Sequence, residues 1–289
     1  MKQQGLADGD RMLVFGGMGY IGQNIHARYP GAIDSGADIA DRAAVARALE
    51  EAKPDVVVNC AGKTGRPNID WCEDHKAETL RANTTGALVV MEECLARGIY
   101  LVHLSSGCIY AGDNGGKGWS EEDPPNYAGS FYSRTKSWSD QILREFPVLL
   151  LRMRMPFDGT LSERSLIMKL RKYPRVLTEQ NSITHLPDFF RAMGALVARR
   201  ATGTYNVVNE GTISPFEVMT LYREIVVPGH AFEALPAARM GEVAKAGRSN
   251  CLLSTAKLRA EGLGLPPVRE AVTKALGELA SLVNKDATR

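Results

Sequence analysis

A short apolar run, Arg11-Met12-Leu13-Val14-Phe15, passes directly into Gly16-Gly17-Met18-Gly19-Tyr20-Ile21-Gly22, and a helical segment follows towards Arg28. No other stretch restricts the possible folds as much. The run reads as a buried strand, and Gly16, Gly19 and Gly22 have the G-x-x-G-x-x-G spacing. Glycines placed this way permit a tight turn, let backbone N–H groups approach a pyrophosphate and allow close helix–strand packing. Glycine-rich turns follow many strands, so the spacing alone fits a plain βα turn. Its position between a strand and a helix at the start of a domain points further, to a dinucleotide held by Gly16, Gly19, Tyr20, Ile21 and Gly22.

The next elements repeat the alternation. A weakly marked strand near residues 31–33 precedes a helix over 41–52, with Asp41 as its N-cap and Pro54 beyond its end. A strand over 55–59 runs into Cys60, Ala61, Gly62 and Lys63, then a polar loop and a helix reaching about residue 97. The strand over 99–104 delivers Ser105 and Ser106 at its carboxyl end. Strands alternating with helices at this length give an α/β fold with a doubly wound parallel sheet, whose ligands bind beyond the carboxyl ends of the strands. The glycine turn, the loop 59–71 that opens with Cys60, Ala61, Gly62 and Lys63, and Ser106 all fall on that edge. No acidic residue stands out after the second strand; Asp34 and Asp38 are both candidates, so the choice between NADH and NADPH stays open.

Inside a helical pattern that continues to about residue 146 lie Tyr132 and Lys136, spaced to project from one face. A phenol titrates near pH 10, and a neighbouring ammonium eases the loss of its proton. With the Ser106 hydroxyl arriving from another element, the set can hold a carbonyl oxygen and move a proton on or off it. After a strand over 148–152 the pattern becomes mixed, with helices near 161–171, 187–199, 215–226, 255–260 and 268–283 and a strand over 204–208. This divides the chain into a dinucleotide-binding domain, 1–156, and a smaller substrate lobe, 157–289, with some segments returning to the main sheet.

Composition excludes more than it selects. Lys+Arg 35 against Asp+Glu 33 leaves a formal +2, which calls for neither nucleic acid nor a membrane surface. The five cysteines show no C-x-x-C pairing, and we expect reduced thiols in a cytoplasmic protein with no metal site. The polar N-terminus lacks the apolar segment of a signal peptide. In the loop after the third strand, Arg66 and Asn68 are candidates for positioning a substrate. Arg248 has the guanidinium fork suited to a diphosphate, or to a surface salt bridge.

The glycine motif with Ser106, Tyr132 and Lys136 resembles the extended short-chain dehydrogenase/reductase superfamily. More narrowly, Gly65-Arg66-Pro67-Asn68-Ile69-Asp70-Trp71-Cys72-Glu73, Gly107-Cys108-Ile109, Gly129-Ser130-Phe131-Tyr132-Ser133, Arg152-Met153-Arg154-Met155-Pro156 and Arg248-Ser249-Asn250 resemble the nucleotide-rhamnose synthase/epimerase-reductases. That resemblance implies 3,5-epimerisation of UDP-4-keto-6-deoxy-glucose followed by NADPH-dependent reduction at C4, giving UDP-L-rhamnose. It implies NADP(H) as cofactor, with NADH not excluded, and a homodimer as the superfamily expectation. It assigns the epimerising acid/base pair to Cys108 and Lys169, with Ser106, Gly107 and Cys108 against the sugar, and Asn83 supporting Lys136 through water. A cysteine is also a common small core residue, and the run Lys169-Leu170-Arg171-Lys172 equally fits a solvated helix face. Two departures stand out: the loop 111–120 is shorter than usual, and Ser105-Ser106 replaces the Ala-Thr of plant members, which keeps the hydroxyl. The alternatives are a plain 4-ketosugar reductase, for which Cys108 and Lys169 are dispensable, and a non-catalytic regulatory subunit, which has no need of an intact Ser106, Tyr132 and Lys136.

Overall fold

The computed structural model describes residues 10–287; the polar N-terminal stretch considered above lies almost wholly outside them. Strands β1 (Met12–Phe15), β2 (Ile33–Ser35), β3 (Val56–Asn59), β4 (Tyr100–Ser106), β5 (Leu149–Met153) and a later strand (Gly203–Asn206) form one six-stranded sheet. Its neighbours pair in parallel throughout, with β1 lying between β2 and β3 and the later strand at the far edge beside β5. Strands covered on both faces need apolar side chains at every position, and β1, β3 and β5 are buried along their whole length.

Alternate residues of each strand serve opposite faces. Val14, Val58, Val102 and Leu151 pack with Ile25 of helix α1 (Tyr20–Arg28) on one side. Leu13, Val57, Leu101 and Leu150 pack on the other side with Val45 and Leu49 of helix α2 (Arg42–Ala52). The Asp41 carboxylate caps α2 by accepting the Ala44 N–H at 3.1 Å, as its sequence position implies. Strand β2 sits two residues later than its pattern suggests, because register with β1 places Ser35 opposite Phe15. As a three-residue edge strand with an exposed face it carries little hydrophobic signal.

The single helix expected between β3 and β4 is broken into α3 (Trp71–Asp74), α4 (Lys76–Leu80), a wide π turn (Arg81–Thr85) and α5 (Gly86–Ala96). Helix α6 (Phe131–Leu143) then carries Tyr132 and Lys136, and α7 (Leu166–Leu170) is shorter than the apolar pattern around it. Strand β6 (Arg175–Leu177), helix α8 (Leu186–Ala198), the far-edge strand, now β7, helix α9 (Pro215–Ile225), strand β8 (Glu233–Leu235), α10 (Ala256–Ala260) and α11 (Val268–Ala287) complete the chain. Strands β6 and β8 pair in parallel as a small second sheet that the sequence does not reveal, each being only three residues long. A second apolar cluster joins Ile167 and Met168 of α7 to Val218 and Met219 of α9 and Leu276 and Leu279 of α11.

One buried ion pair fixes the elements that carry the site. Arg152 on β5 donates Nη2–H to Asp140 Oδ1 at 2.6 Å and Nε–H to Oδ2 at 3.0 Å, with both side chains 0% exposed. The Ser105 hydroxyl donates to the same carboxylate at 2.5 Å. Asp140 on α6 thereby clamps that helix to β4 and β5. Removing one partner strands a buried charge, so Asp140→Ala is expected to destabilise the fold by about 3–5 kcal/mol. Urea denaturation checks this, and a change below about 1 kcal/mol, the scale of an exposed pair, would contradict it.

Candidate active site

The glycine turn is as tight as its spacing requires. Gly16 has φ +85°, and a Cβ there would lie 2.7 Å from the Cα and backbone N of Ala61. At Gly22 a Cβ would lie 2.4 Å from the Gly16 carbonyl oxygen, so only glycine lets α1 start against the turn. The N-terminus of α1, with Tyr20 and Ile21 in its first turn, and the Ala61–Lys63 segment face this cradle, which fits a pyrophosphate approached by backbone N–H groups. The side chains of two predicted cofactor residues do other work. The Cys60 thiol donates to the Phe15 carbonyl at 3.1 Å, and burial pushes it up to about 12. The Tyr20 phenol is buried without a hydrogen-bond partner, raised by that burial and by Asp158.

Ser106 ends β4, and its hydroxyl oxygen accepts the Cys108 N–H at 3.1 Å, shaping the turn that carries Gly107 and Cys108. A Cβ on Gly107 would meet the side chains of Leu253 and Arg154 at 2.5 and 2.7 Å, so this residue is a packing glycine beneath the site. Across from the turn, the first turn of α6 is held twice. Ser130 accepts the Ser133 N–H at 3.1 Å, and Glu73 accepts the Phe131 N–H at 2.6 Å. Tyr132 is thus fixed by a cap and by α3. Burial raises its phenol above the usual tyrosine range and nearby Cys108 adds to the rise, while the Ser106 hydroxyl and Arg154 oppose it. Lys136 is not what holds the phenol down in this state: its ammonium is buried and donates to the Leu104 carbonyl at 3.0 Å. Burial lowers Lys136 to about 8, with Asp140 and Cys108 opposing the fall.

Asn83 sits in the π turn. Its Oδ1 accepts the Lys63 N–H at 2.7 Å, and its Nδ2–H₂ donates to the Lys63 carbonyl at 3.0 Å and to Thr135 Oγ1 at 3.2 Å. It therefore braces the cradle segment and the residue before Lys136 directly. Lys169 lies on α7, half-buried rather than on a fully solvated face, with burial and then Arg164 lowering its ammonium. Arg164 reaches Thr64 Oγ1 at 3.4 Å, which brings the segment before α7 to the loop after β3.

Asn68 and Arg248 come together, but through a carboxylate. Arg248 donates to Asp70 Oδ1 at 2.9 Å and to Asn68 Oδ1 at 3.2 Å, whereas Arg66 is exposed. The partner Asp70 and the α6 anchor Glu73 stand in the motif 65–73 but carry no chemical signature of their own in the sequence. Arg154, in the motif 152–156, likewise carries none of its own. It is 1% exposed, has no carboxylate partner among the described residues, and donates to the carbonyls of Gly107 at 3.2 Å, Ser182 at 3.2 Å and Ser249 at 2.9 Å. A charged residue at the end of a buried strand was the signal available.

A parallel sheet with a glycine turn at its first βα junction, and serine, tyrosine and lysine gathered at the carboxyl edge, define an extended short-chain dehydrogenase/reductase. Within that class the chain belongs to the family described as the RmlD substrate binding domain, whose model matches residues 10–281. It is 37% identical over 241 residues to the bifunctional dTDP-4-dehydrorhamnose 3,5-epimerase/dTDP-4-dehydrorhamnose reductase of Arabidopsis thaliana, covering 81% of this chain and 80% of that protein. A trifunctional protein of the same plant, UDP-glucose 4,6-dehydratase/UDP-4-keto-6-deoxy-D-glucose 3,5-epimerase/UDP-4-keto-L-rhamnose-reductase, is 35% identical over 81% of this chain, and the match spans only 36% of its length. Among solved structures, the L780 UDP-rhamnose synthase of Acanthamoeba polyphaga mimivirus superposes with a TM-score of 0.88 at 31% identity, covering 93% of this chain and 99% of that one. The fold is also that of dTDP-4-dehydrorhamnose reductase from Bacillus anthracis in complex with NADP, with a TM-score of 0.79 at 20% identity over 92% of this chain and 98% of that one.

Proposed function

We propose that this chain is a bifunctional 3,5-epimerase and 4-reductase that converts UDP-4-keto-6-deoxy-D-glucose to UDP-L-rhamnose. The observation that carries the reading is the turn after β4, where Ser106 accepts the Cys108 N–H and which packs against α6, the helix of Tyr132 and Lys136. A ketone at C4 acidifies the protons on C3 and C5, so epimerisation needs a base, an acid and support for the oxyanion. Ser106 and Tyr132 hold the C4 oxygen while Cys108 and Lys169 take and return the carbon protons. A half-buried lysine biased towards its neutral amine is suited to that exchange. In the reductive step Tyr132 gives its proton to the C4 oxygen, and Lys136, one helix turn further along α6, supports the phenolate left behind. A nicotinamide dinucleotide, bound along the glycine cradle, supplies the hydride; NADP is what the Bacillus anthracis reductase holds.

The relatives support the reductase half broadly and the epimerase half through the Arabidopsis protein and the mimivirus synthase. No helix among the described residues is long and apolar enough to cross a membrane. The test is an NMR time course in deuterated water with the purified protein, UDP-4-keto-6-deoxy-glucose and a reduced nicotinamide dinucleotide. Deuterium at C3 and C5 of a UDP-L-rhamnose product is expected. A reduced 6-deoxy product without deuterium at either carbon means a plain reductase, and no turnover with the UDP or dTDP sugar refutes the substrate assignment.

A further inference from the structure

The dinucleotide cradle contains one carboxylate for which the reaction has no use. Register with β1 sets Val14 opposite Asp34 and Phe15 opposite Ser35, so Asp34 is the penultimate residue of β2, one position short of the edge where the glycine turn begins. Its carboxylate lies directly against that turn: a Cβ on Gly17 would be 2.0 Å from Asp34 Oδ1. Gly17, outside the three-glycine spacing, is therefore the residue that admits Asp34. The two residues share the wall of a cavity of about 300 Å³ with Gly16, Asp38 and Lys63.

The electrostatics of this wall are one-sided. Residues 33–41 read Ile-Asp-Ser-Gly-Ala-Asp-Ile-Ala-Asp, with three carboxylates and no cation. Of the basic groups nearby, Arg81 is engaged with Asp38 at 3.2 Å, and Arg47 lies outside this cavity, on an adjoining groove that residues 34–37 also line together with Glu51. The His26 ring stands 4.0 Å from Asp34, and Lys63 is the one permanent cation on the cavity wall. A carboxylate at the end of the second strand accepts a hydrogen bond from an adenosine 2′-hydroxyl, whereas a 2′-phosphate needs an arginine there.

We propose that Asp34 sets the dinucleotide preference of this chain: it accepts the 2′-hydroxyl of the adenosine ribose and repels a 2′-phosphate, so NADH binds more tightly than NADPH. The inference rests on the dinucleotide reading above and deepens it. It also marks a place where this chain departs from the Bacillus anthracis reductase, which holds NADP. Repulsion of the alternative ligand is half of such a device, so its removal is as informative as the preference itself.

The test is binding without turnover. NADH and NADPH are titrated separately onto the full-length protein, followed by nicotinamide fluorescence, with no sugar nucleotide present. The expected dissociation constant for NADPH is about tenfold or more above that for NADH, one well-placed hydrogen bond plus one repelled charge. Asp34→Ser should bring the two within about threefold, and Asp34→Ser with Ala37→Arg should invert the order. Asp34→Asn, which keeps the shape and removes only the charge, replaces Asp34→Ser if that variant fails to melt cooperatively. NADPH binding as tightly as NADH to the unaltered protein, or a ratio unmoved by the Asp34 variants, overturns the proposal. Binding of neither dinucleotide overturns the parent reading as well, and the two failures are thereby told apart.

Discussion

Tyr132→Phe is expected to lower the rate of 4-keto reduction by about 10²–10⁴-fold, the usual worth of a positioned acid, while leaving the melting temperature within a few degrees. Among the described residues the phenol makes no hydrogen bond to backbone, and its place on α6 is set by Ser130 and Glu73, which the substitution does not touch. What is lost is the proton that must arrive at the C4 oxygen. Burial keeps that proton on the phenol in the resting protein, which suits an acid awaiting its ketone. The support for the resulting phenolate comes from Lys136, whose own ammonium is weakened by burial to about 8. Below that value the ammonium is present, and above it the ammonium is lost, so kcat/KM for reduction should fall as pH rises through about 8. Stopped-flow or steady-state loss of nicotinamide absorbance at 340 nm checks both statements. Reduction by the Phe variant within about threefold of the unaltered protein would remove Tyr132 from its assigned role.

The parts of this design that are legible in the sequence are those where one residue type is required by contact at fixed spacing. Gly16 and Gly22 are readable because backbone atoms approach within distances that exclude any Cβ. Tyr132 and Lys136 are readable because one helix turn separates them. Strands β1, β3 and β5 are readable because burial on both faces leaves apolar runs, interrupted only by Asn59 at the end of β3 and Arg152 on β5. What escapes is whatever depends on partners distant in the chain. Whether Arg248 meets a diphosphate or a salt-bridge partner is undecided by the sequence until Asp70 and Asn68, about 180 positions earlier, are seen beside it. Arg154 has its donors satisfied by carbonyls of Gly107, Ser182 and Ser249 and by the side chains of Asn181 and Ser249; backbone acceptors leave no trace in residue identity, and the two side chains lie far along the chain. Asp34 and Asp38 cannot be ranked by spacing, because the short edge strand before them is set by register with β1 and not by its own pattern. The π turn is hidden for a related reason: the segment 76–96 has helical character throughout, and the wider turn exists to present Asn83 to Lys63 and Thr135.

Cys108→Ala should separate the two chemistries. Exchange of the C3 and C5 protons with solvent is expected to fall by about 10²-fold or more, while reduction of a ketone already in the L-configuration at C5 stays within about threefold. The asymmetry follows from where the thiol sits. It is half-exposed on the turn after β4, it makes no hydrogen bond that holds the fold, and its backbone N–H, which an alanine retains, is the group that Ser106 anchors. The hydroxyl and phenol that hold the C4 oxygen are therefore untouched, and with them the proton route for reduction. Cys251, buried nearby with its thiol 3.5 Å from the Gly107 carbonyl, is the internal control: Cys251→Ala removes a thiol from the same neighbourhood without removing one that faces the turn's open side. Deuterium incorporation followed by proton NMR on the 4-keto sugar, before any dinucleotide is added, reads exchange alone. Equal loss of exchange and reduction in Cys108→Ala would mean the residue shapes the turn and carries no proton. Unchanged exchange would transfer the acid/base work away from Cys108, and if Lys169→Met also left it unchanged, that work would belong to other groups of this chain.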